Sequence, residues 1–362
     1  MTDESYIKLT LELAKKGIGK VSPNPLVGCV IIKDDRIIGA GYHEKFGGNH
    51  AEINAINSSK ENLENAALYV NLEPCSHQGK TPPCIDKIIE KKIKRVVIGT
   101  LDMNPLVSGS GVKRLKAAGI DVKVGLLEKE CIELNKFFFK FITRKIPYVT
   151  LKAAQTLDGK IADDSGNSKW ISNVSSRRKV HSLRAKYDAV LVGSGTVKSD
   201  DPSLTVRLAE GRNPKRVVLD SKLELSTAQK IFTGNNDKNL FVVTSKKNQT
   251  KVRRLKKLTS LGVKVLFVNE SRNGFLNLKS VLRELGKNQI ASVLVEGGNE
   301  IYSSFIKENL FDDIYLFVAP KILGSGLPIV QDISNGSLKN AFKLKLKNAE
   351  AVDDDLLVEL QR

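Results

Sequence analysis

Apolar positions along this 362-residue chain recur at two spacings, and the spacing alternates. Tyr6, Leu9, Leu13 and Ala14 fall on one face of a helix, and Ser22-Pro23-Asn24-Pro25 after them is turn chemistry. Leu26 to Lys33 and Arg36 to Tyr42 read as strands joined in a hairpin through Asp34-Asp35. A helix from His50, a strand Ala67 to Leu72, a helix from Pro83 and a strand Arg95 to Thr100 come next. A helix near Val112, a strand Val122 to Leu126 and a helix from Glu128 to Phe141 close this stretch at Arg144-Lys145-Ile146-Pro147.

Tyr148 to Ala154 opens a second series of strands. It continues with Ala189 to Val192, Arg216 to Asp220, Leu240 to Thr244, Lys264 to Val268, Ser292 to Val295, Ile314 to Ala319 and Asp355 to Leu360, with helical patterns between most of them. Such alternation predicts sheets with helices on both faces. The length suits two domains, expected at 1–145 and 146–362.

Composition narrows the class. An apolar fraction of 41% with 27% charged residues belongs to a globular chain and not to a disordered one. The longest apolar runs, Leu26 to Ile32 and Leu316 to Ala319, are strand-sized, so no membrane partner is expected. The first twenty residues lack a signal-peptide core, and four cysteines are too few for a disulfide scaffold. A cytoplasmic enzyme is the expectation. The net charge of +18 raises the question of nucleic acid. It divides as +6 over residues 1–145 and +12 over the rest, and it is mostly lysine interleaved with acids. Solvated helix faces explain that pattern, and phosphorylated ligands are its sharper reading.

His50-Ala51-Glu52 opens one helix, and Cys84 stands nine residues after Pro74-Cys75, just inside another. One imidazole and two thiolates suit Zn²⁺ with a fourth position open, and the order follows the zinc-deaminase pattern H-x-E…P-C…C. Cys84 at a helix start is placed where the dipole favours a thiolate. Zn²⁺ with two thiolates and a neutral imidazole is formally uncharged, so water held there can ionise. Glu52 would take that proton and pass it to a ring nitrogen and then to departing ammonia. A closed structural zinc needs a fourth ligand nearby. Cys29 in an apolar strand and Cys131 in a helix read instead as core.

In the second half no G-x-G-x-x-G follows a strand. Two strands do end in glycines, in VLVGSGTVKSDDP and VLVEGGNEIYSSF, where backbone amides at a helix start could approach an anion or simply turn the chain.

The segments SPNPLVGCVI, GYHEKFGGNHAE and LEPCSHQGKTPPC resemble the deaminase domain of the bifunctional riboflavin-biosynthesis deaminase-reductases, and the eight-residue spacing between Cys75 and Cys84 is specific to that family. YVTLKAAQTLDGKIA, VGSGTVKSDDPSLTVR, VEGG and APKILG resemble its reductase domain, so the likeness covers the whole chain. It implies a cytidine-deaminase-like three-layer α/β/α domain followed by a dihydrofolate-reductase-like α/β domain. It also implies one zinc per chain on His50, Cys75 and Cys84, with Glu52 catalytic. The implied substrate is 2,5-diamino-6-(5-phosphoribosylamino)pyrimidin-4-one, losing its 2-amino group. Asn24 would hydrogen-bond it, while His43, His77 and Lys80 face its phosphate.

For the reduction the resemblance implies NADPH, lined by Ala154, Trp170, Thr196, Asp200, Ser221 and the run Gly298, Asn299, Glu300, Ile301, Tyr302, Ser303 and Ser304. Ser168, Arg184, Leu204, Arg207 and Glu296 would hold the second substrate, an arginine fork suiting its phosphate. Lys152 could polarise the ribose-derived centre or lie at a solvated strand edge. No general acid is evident. The expected partners are phosphorylated pyrimidines, without nucleic acid, in a homo-oligomer. The rival reading is a zinc deaminase of nucleic acid with a basic, non-catalytic second domain.

Overall fold

A computed structural model describes residues 1–76, 82–104, 108–333 and 336–362. The chain divides into two compact units, Met1–Lys145 and Ile146–Arg362.

The first unit runs α1 (Asp3–Lys15), β1 (Gly28–Lys33), β2 (Arg36–Tyr42), α2 (Ala51–Ser58), β3 (Ala67–Leu72), α3 (Cys84–Glu90), β4 (Arg95–Thr100), α4 (Ser110–Ala117), β5 (Asp121–Val124), α5 (Glu128–Leu134) and α6 (Lys136–Arg144). Its sheet order is β2-β1-β3-β4-β5, antiparallel about β1 and parallel from β3 to β5. Asp34 and Asp35 both have positive φ, the turn a two-residue hairpin requires. Alternate residues of β1 face opposite layers. Cys29 and Ile31 pack with Ala55, Ile88 and Leu115, whereas Val30 and Ile32 pack with Ile7, Leu11 and Cys131. This is a three-layer α/β/α sandwich. Gly28 lets α1 lie directly on β1, since a Cβ there would sit 2.1 Å from the Thr10 carbonyl oxygen.

The single helix expected over Glu128 to Phe141 is two. The chain breaks at Asn135, whose side-chain oxygen accepts the Leu26 N–H at 2.8 Å while its amide donates to the Leu26 carbonyl at 2.9 Å. Asn135 thus satisfies the backbone of the chain entering β1, and the helix axis yields to that pairing.

The second unit runs β6 (Tyr148–Thr156), β7 (Lys160–Ala162), α7 (Val174–Lys186), β8 (Ala189–Gly193), α8 (Ser194–Asp200), β9 (Lys215–Leu219), α9 (Lys230–Thr233), β10 (Leu240–Ser245), α10 (Val252–Ser260) and β11 (Lys264–Val268). It continues α11 (Leu278–Lys287), β12 (Ser292–Val295), α12 (Asn299–Lys307), β13 (Asp313–Ala319), β14 (Leu327–Pro328), β15 (Lys345–Val352) and β16 (Asp355–Gln361). Nine strands form one sheet in the order β11-β10-β9-β8-β12-β6-β13-β16-β15. It is parallel from β11 to β13, and β16 and β15 add on antiparallel. β7 and β14 pair in a separate small ribbon.

Three of these strands escape the apolar pattern. β15 is lysine-rich and exposed along most of its length, the composition of a protected sheet edge, so period-two burial never appears in it. β7 and β14 are two to three residues long. The expectation that Lys152 might lie at a solvated edge is corrected by the topology, because β6 is paired on both sides. β8 and β12 are parallel neighbours whose chains lead off in opposite directions, to β9 on one side and to β13 on the other, which places the starts of α8 and α12 side by side at a crevice where open α/β sheets bind ligands.

Candidate active sites

In the first unit, sequence places each ligand at an element boundary. His50 is the extended residue before α2, Cys75 follows β3, and Cys84 is the first residue of α3. His50 Nδ1 lies 3.4 Å from Cys75 Sγ and 3.3 Å from Cys84 Sγ, and the three donor atoms sit within 4.8 Å of one another. Tetrahedral Zn²⁺ with the usual Zn–S and Zn–N lengths separates such donors by about 3.5 Å, so the set fits the ion. Hydrogen bonds from Cys84 and His50 pull the Cys75 thiol down to about 4, against its burial. The α3 geometry helps, as the Cys84 N–H donates to Cys75 Sγ at 3.3 Å.

Glu52, one residue into α2, is 3% exposed. Burial, reinforced by the Cys75 thiolate, raises its carboxyl to about 7, with His50 opposing. A carboxyl of that affinity can both take and return a proton near neutral pH.

His43 donates from Nδ1 to the Asn49 carbonyl at 2.9 Å, which leaves Nε2 to accept from Asn24 Nδ2 at 3.2 Å. Its ring meets the His50 ring edge-on at 5.6 Å, and burial lowers its proton affinity. Both ring nitrogens are thus engaged, and the ring lies between Asn24 and His50. His77 and Lys80 lie outside the described residues. Cys29 and Cys131 are fully buried core residues.

Sequence reasoning passed over Glu73. It is 4% exposed and accepts four backbone N–H groups, those of Asp102, Gly109, Gly111 and Val112, at 2.9 to 3.2 Å. It ties the end of β3, two residues before Cys75, to the start of α4.

The second unit gathers a charged cluster. Arg184 on α7 grips Glu296, just after β12, with Nε to Oε1 at 2.7 Å and Nη2 to Oε2 at 2.9 Å. Its Nη1 donates to the Thr205 carbonyl at 3.1 Å. Burial would raise the Glu296 carboxyl, but Arg184, with Lys152 and His181, holds it down to about 2. Lys152, half-buried on β6, has its proton affinity lowered by burial and partly restored by Glu296. His181, the fourth histidine of the chain, was missed. It is 5% exposed, and its Nδ1 accepts the Arg207 N–H at 2.9 Å. The only signal was its spacing of three from Arg184 on a helix.

Around this cluster the expected residues separate. Trp170 is exposed at positive φ, its ring covered by the Arg177 guanidinium at 4.3 Å, so it is not a core residue. Ala154 and Ser168 are half-buried, Leu204 is buried at positive φ, and Arg207 is exposed. Thr196 is half-buried and Asp200 exposed on α8, while the Ser221 carbonyl takes the Asn248 amide at 2.7 Å.

The run Gly298 to Ser304 divides by helical geometry. Tyr302 packs in the core, Asn299 donates to the Pro328 carbonyl, and Ser303 accepts from Gln331 N–H. Glu300 is exposed, Ser304 Oγ bonds back to the Glu300 carbonyl, and Ile301 packs against Gly193 and Gly297. The six residues from Asn299 to Ser304 are helical and point around more than a full turn, so they present different faces. The helix start at Gly298 is the part that opens on the crevice between β8 and β12.

Residues 1–100 match the family of the cytidine and deoxycytidylate deaminase zinc-binding region, and residues 147–358 match the RibD C-terminal domain family. The riboflavin biosynthesis protein RibD of Aquifex aeolicus is 47% identical over 99% of this chain and 98% of its own length. That of Escherichia coli strain K12 is 38% identical over 99% of each. The crystal structure of a diaminohydroxyphosphoribosylaminopyrimidine deaminase/5-amino-6-(5-phosphoribosylamino)uracil reductase from Thermotoga maritima is 44% identical. It superposes with a TM-score of 0.86 over 99% of this chain and 98% of that one. Acinetobacter baumannii RibD, 37% identical, superposes at 0.89 over the same shares. Among the described residues no helix is long and apolar enough to cross a membrane.

Proposed function

The chain belongs to the RibD family of riboflavin biosynthesis proteins, and from that membership we propose how its two sites divide the work. The protein is a bifunctional deaminase and reductase of riboflavin biosynthesis, with zinc and NADPH as cofactors, a cytidine-deaminase-like first domain and a dihydrofolate-reductase-like second one. Residues 1–145 carry the deamination of 2,5-diamino-6-(5-phosphoribosylamino)pyrimidin-4-one. Residues 146–362 carry the reduction of 5-amino-6-(5-phosphoribosylamino)uracil to the ribitylamino product.

The observation that supports this reading best is the buried Glu52 beside the His50, Cys75 and Cys84 triangle. His50, Cys75 and Cys84 hold zinc, which when bound supplies the Lewis acidity that makes water a nucleophile at neutral pH. Glu52 carries one proton of the attacking water to the ring nitrogen and the second, from the added hydroxyl, to the leaving ammonia. Asn24, fixed by His43, orients the pyrimidine, and His77 with Lys80 receive the phosphate.

In the second site Ala154, Trp170, Thr196, Asp200, Ser221 and the Gly298 end of α12 bind NADPH, which supplies the hydride. Ser168, the Leu204 backbone and Arg207 hold the substrate. Arg184 acts through Glu296 and Thr205, with its donors largely committed to them. The lysine surplus then serves solubility and phosphorylated small molecules, without a nucleic-acid partner. In this reading the protein works in the cytoplasm as a homo-oligomer.

Purified protein supplied with the diaminopyrimidine ribotide should release ammonia and then oxidise NADPH. A chelator should stop the first step and spare reduction of ready-made intermediate. Ammonia release indifferent to zinc, or NADPH oxidation without substrate, would sink the assignment.

A further inference from the structure

His181 and Arg184 stand one turn apart on α7, and both reach the same loop. That loop, from Asp201 to Pro214, has neither helix nor strand, and Leu204 in it adopts φ 54°, a costly conformation for a side chain with a branched Cγ. Its ends are tied by the Lys230 N–H on Asp201 Oδ1 and by Arg212 on Asp188 Oδ1, both at 2.7 Å, and its middle by the Val206 N–H on Asn213 Oδ1 at 2.8 Å, Arg184 on the Thr205 carbonyl at 3.1 Å and the Arg207 N–H on His181 Nδ1 at 2.9 Å. An imidazole nitrogen accepts only when it carries no proton, so His181 is neutral with its proton on Nε2.

The surroundings enforce neutrality. Burial disfavours the cation most, followed by Arg184 on α7 and Arg207 in the loop, with Lys152 on β6 adding to them. Glu296, after β12, pulls the other way, and the balance leaves the ring titrating at about 4. We propose that His181 is a positioning residue of the reductase, whose neutral Nδ1 holds the Arg207 backbone so that the exposed guanidinium is preset for the substrate phosphate. The inference rests on Arg207 being a substrate ligand.

The test compares His181→Leu, which removes the acceptor, with His181→Asn, whose Oδ1 can accept where Nδ1 does. The full-length protein is used, and NADPH affinity reports that the domain is folded. His181→Leu should raise KM for 5-amino-6-(5-phosphoribosylamino)uracil about tenfold, with kcat nearly unchanged, as expected for one lost orienting hydrogen bond. Amide exchange at Arg207 should quicken in the same variant. His181→Asn should restore both. Below about pH 5 the wild-type KM should rise as the ring protonates, while that of His181→Asn should not follow it through this range.

If His181→Leu loses NADPH affinity, the acid limb of His181→Asn carries the test alone, and a KM that rises as in wild type overturns the proposal. A fall in kcat alone would also overturn it, because the ring would then serve the chemistry. Unchanged Arg207 exchange overturns it through His181. Faster exchange with unchanged KM overturns it through the assignment of Arg207.

Discussion

Arg184 and Glu296 meet as a two-pronged pair, at 2.7 and 2.9 Å, with side chains only 12% and 9% exposed. Planar guanidinium and carboxylate match atom for atom, and near-dry surroundings make each dependent on the other. Two expected substrate ligands are therefore partners of each other. The consequence is a difference in kind between Arg184 and Arg207.

Arg184→Ala leaves a buried carboxylate unpaired, a loss of about 3–5 kcal/mol in stability, and reduction should fail with it. Arg207→Ala at an exposed position should cost under about 0.5 kcal/mol while raising reductase KM roughly tenfold to a hundredfold. Denaturant titration beside steady-state kinetics separates them. Equal destabilisation of the two variants would contradict the pairing.

Glu296 also sets an acid limit. Its folded carboxyl titrates at about 2 against an ordinary 4.5. A depressed carboxylate contributes stability that is present above 4.5 and lost as pH falls through 2. The shift corresponds to about 3 kcal/mol. Glu296→Gln should flatten the dependence of reductase-domain stability on pH across this window, measured by urea unfolding at stepped pH. An unaltered slope would place the lost protons elsewhere.

Cys84→Ala should abolish stoichiometric zinc, since the remaining imidazole and thiolate form an incomplete site. Metal analysis after dialysis checks this. Reduction of pre-formed intermediate should continue, as the second site shares none of these ligands.

Glu52→Gln should retain zinc and lose deamination by about two to four orders of magnitude, because an amide cannot relay a proton. Ammonia release near the wild-type rate would remove Glu52 from the mechanism.

Gly297→Ala should weaken NADPH binding. An added Cβ would fall 2.9 Å from Ile301 Cβ and Cγ2 on the first turn of α12, so the helix must shift. Overpacking of this sort costs about 1–3 kcal/mol. Fluorescence titration of NADPH gives the measure, and an unchanged affinity would show that α12 does not line the cofactor.

The zinc ligands and Glu52 were legible in the sequence because their chemistry is written in short segments at helix starts: His50 and Glu52 are two residues apart, and Cys75 and Cys84 flank one loop. The parallel strands were legible because burial on both faces demands continuous apolar runs. Periodicity carries nothing about partners far along the chain. Asn135 divides a helix for the sake of Leu26, 109 residues earlier. β15 forms on β16 with little apolar signal of its own. Arg184, His181, Lys152 and Glu296 are ordinary polar residues until the order β8-β12-β6 brings their elements to one crevice. Burial there makes His181 neutral and binds Arg184 to Glu296. Local composition determined which chemistry the chain contains; low-dielectric surroundings, which only tertiary packing creates, decided which charges face the ligand and which hold the frame.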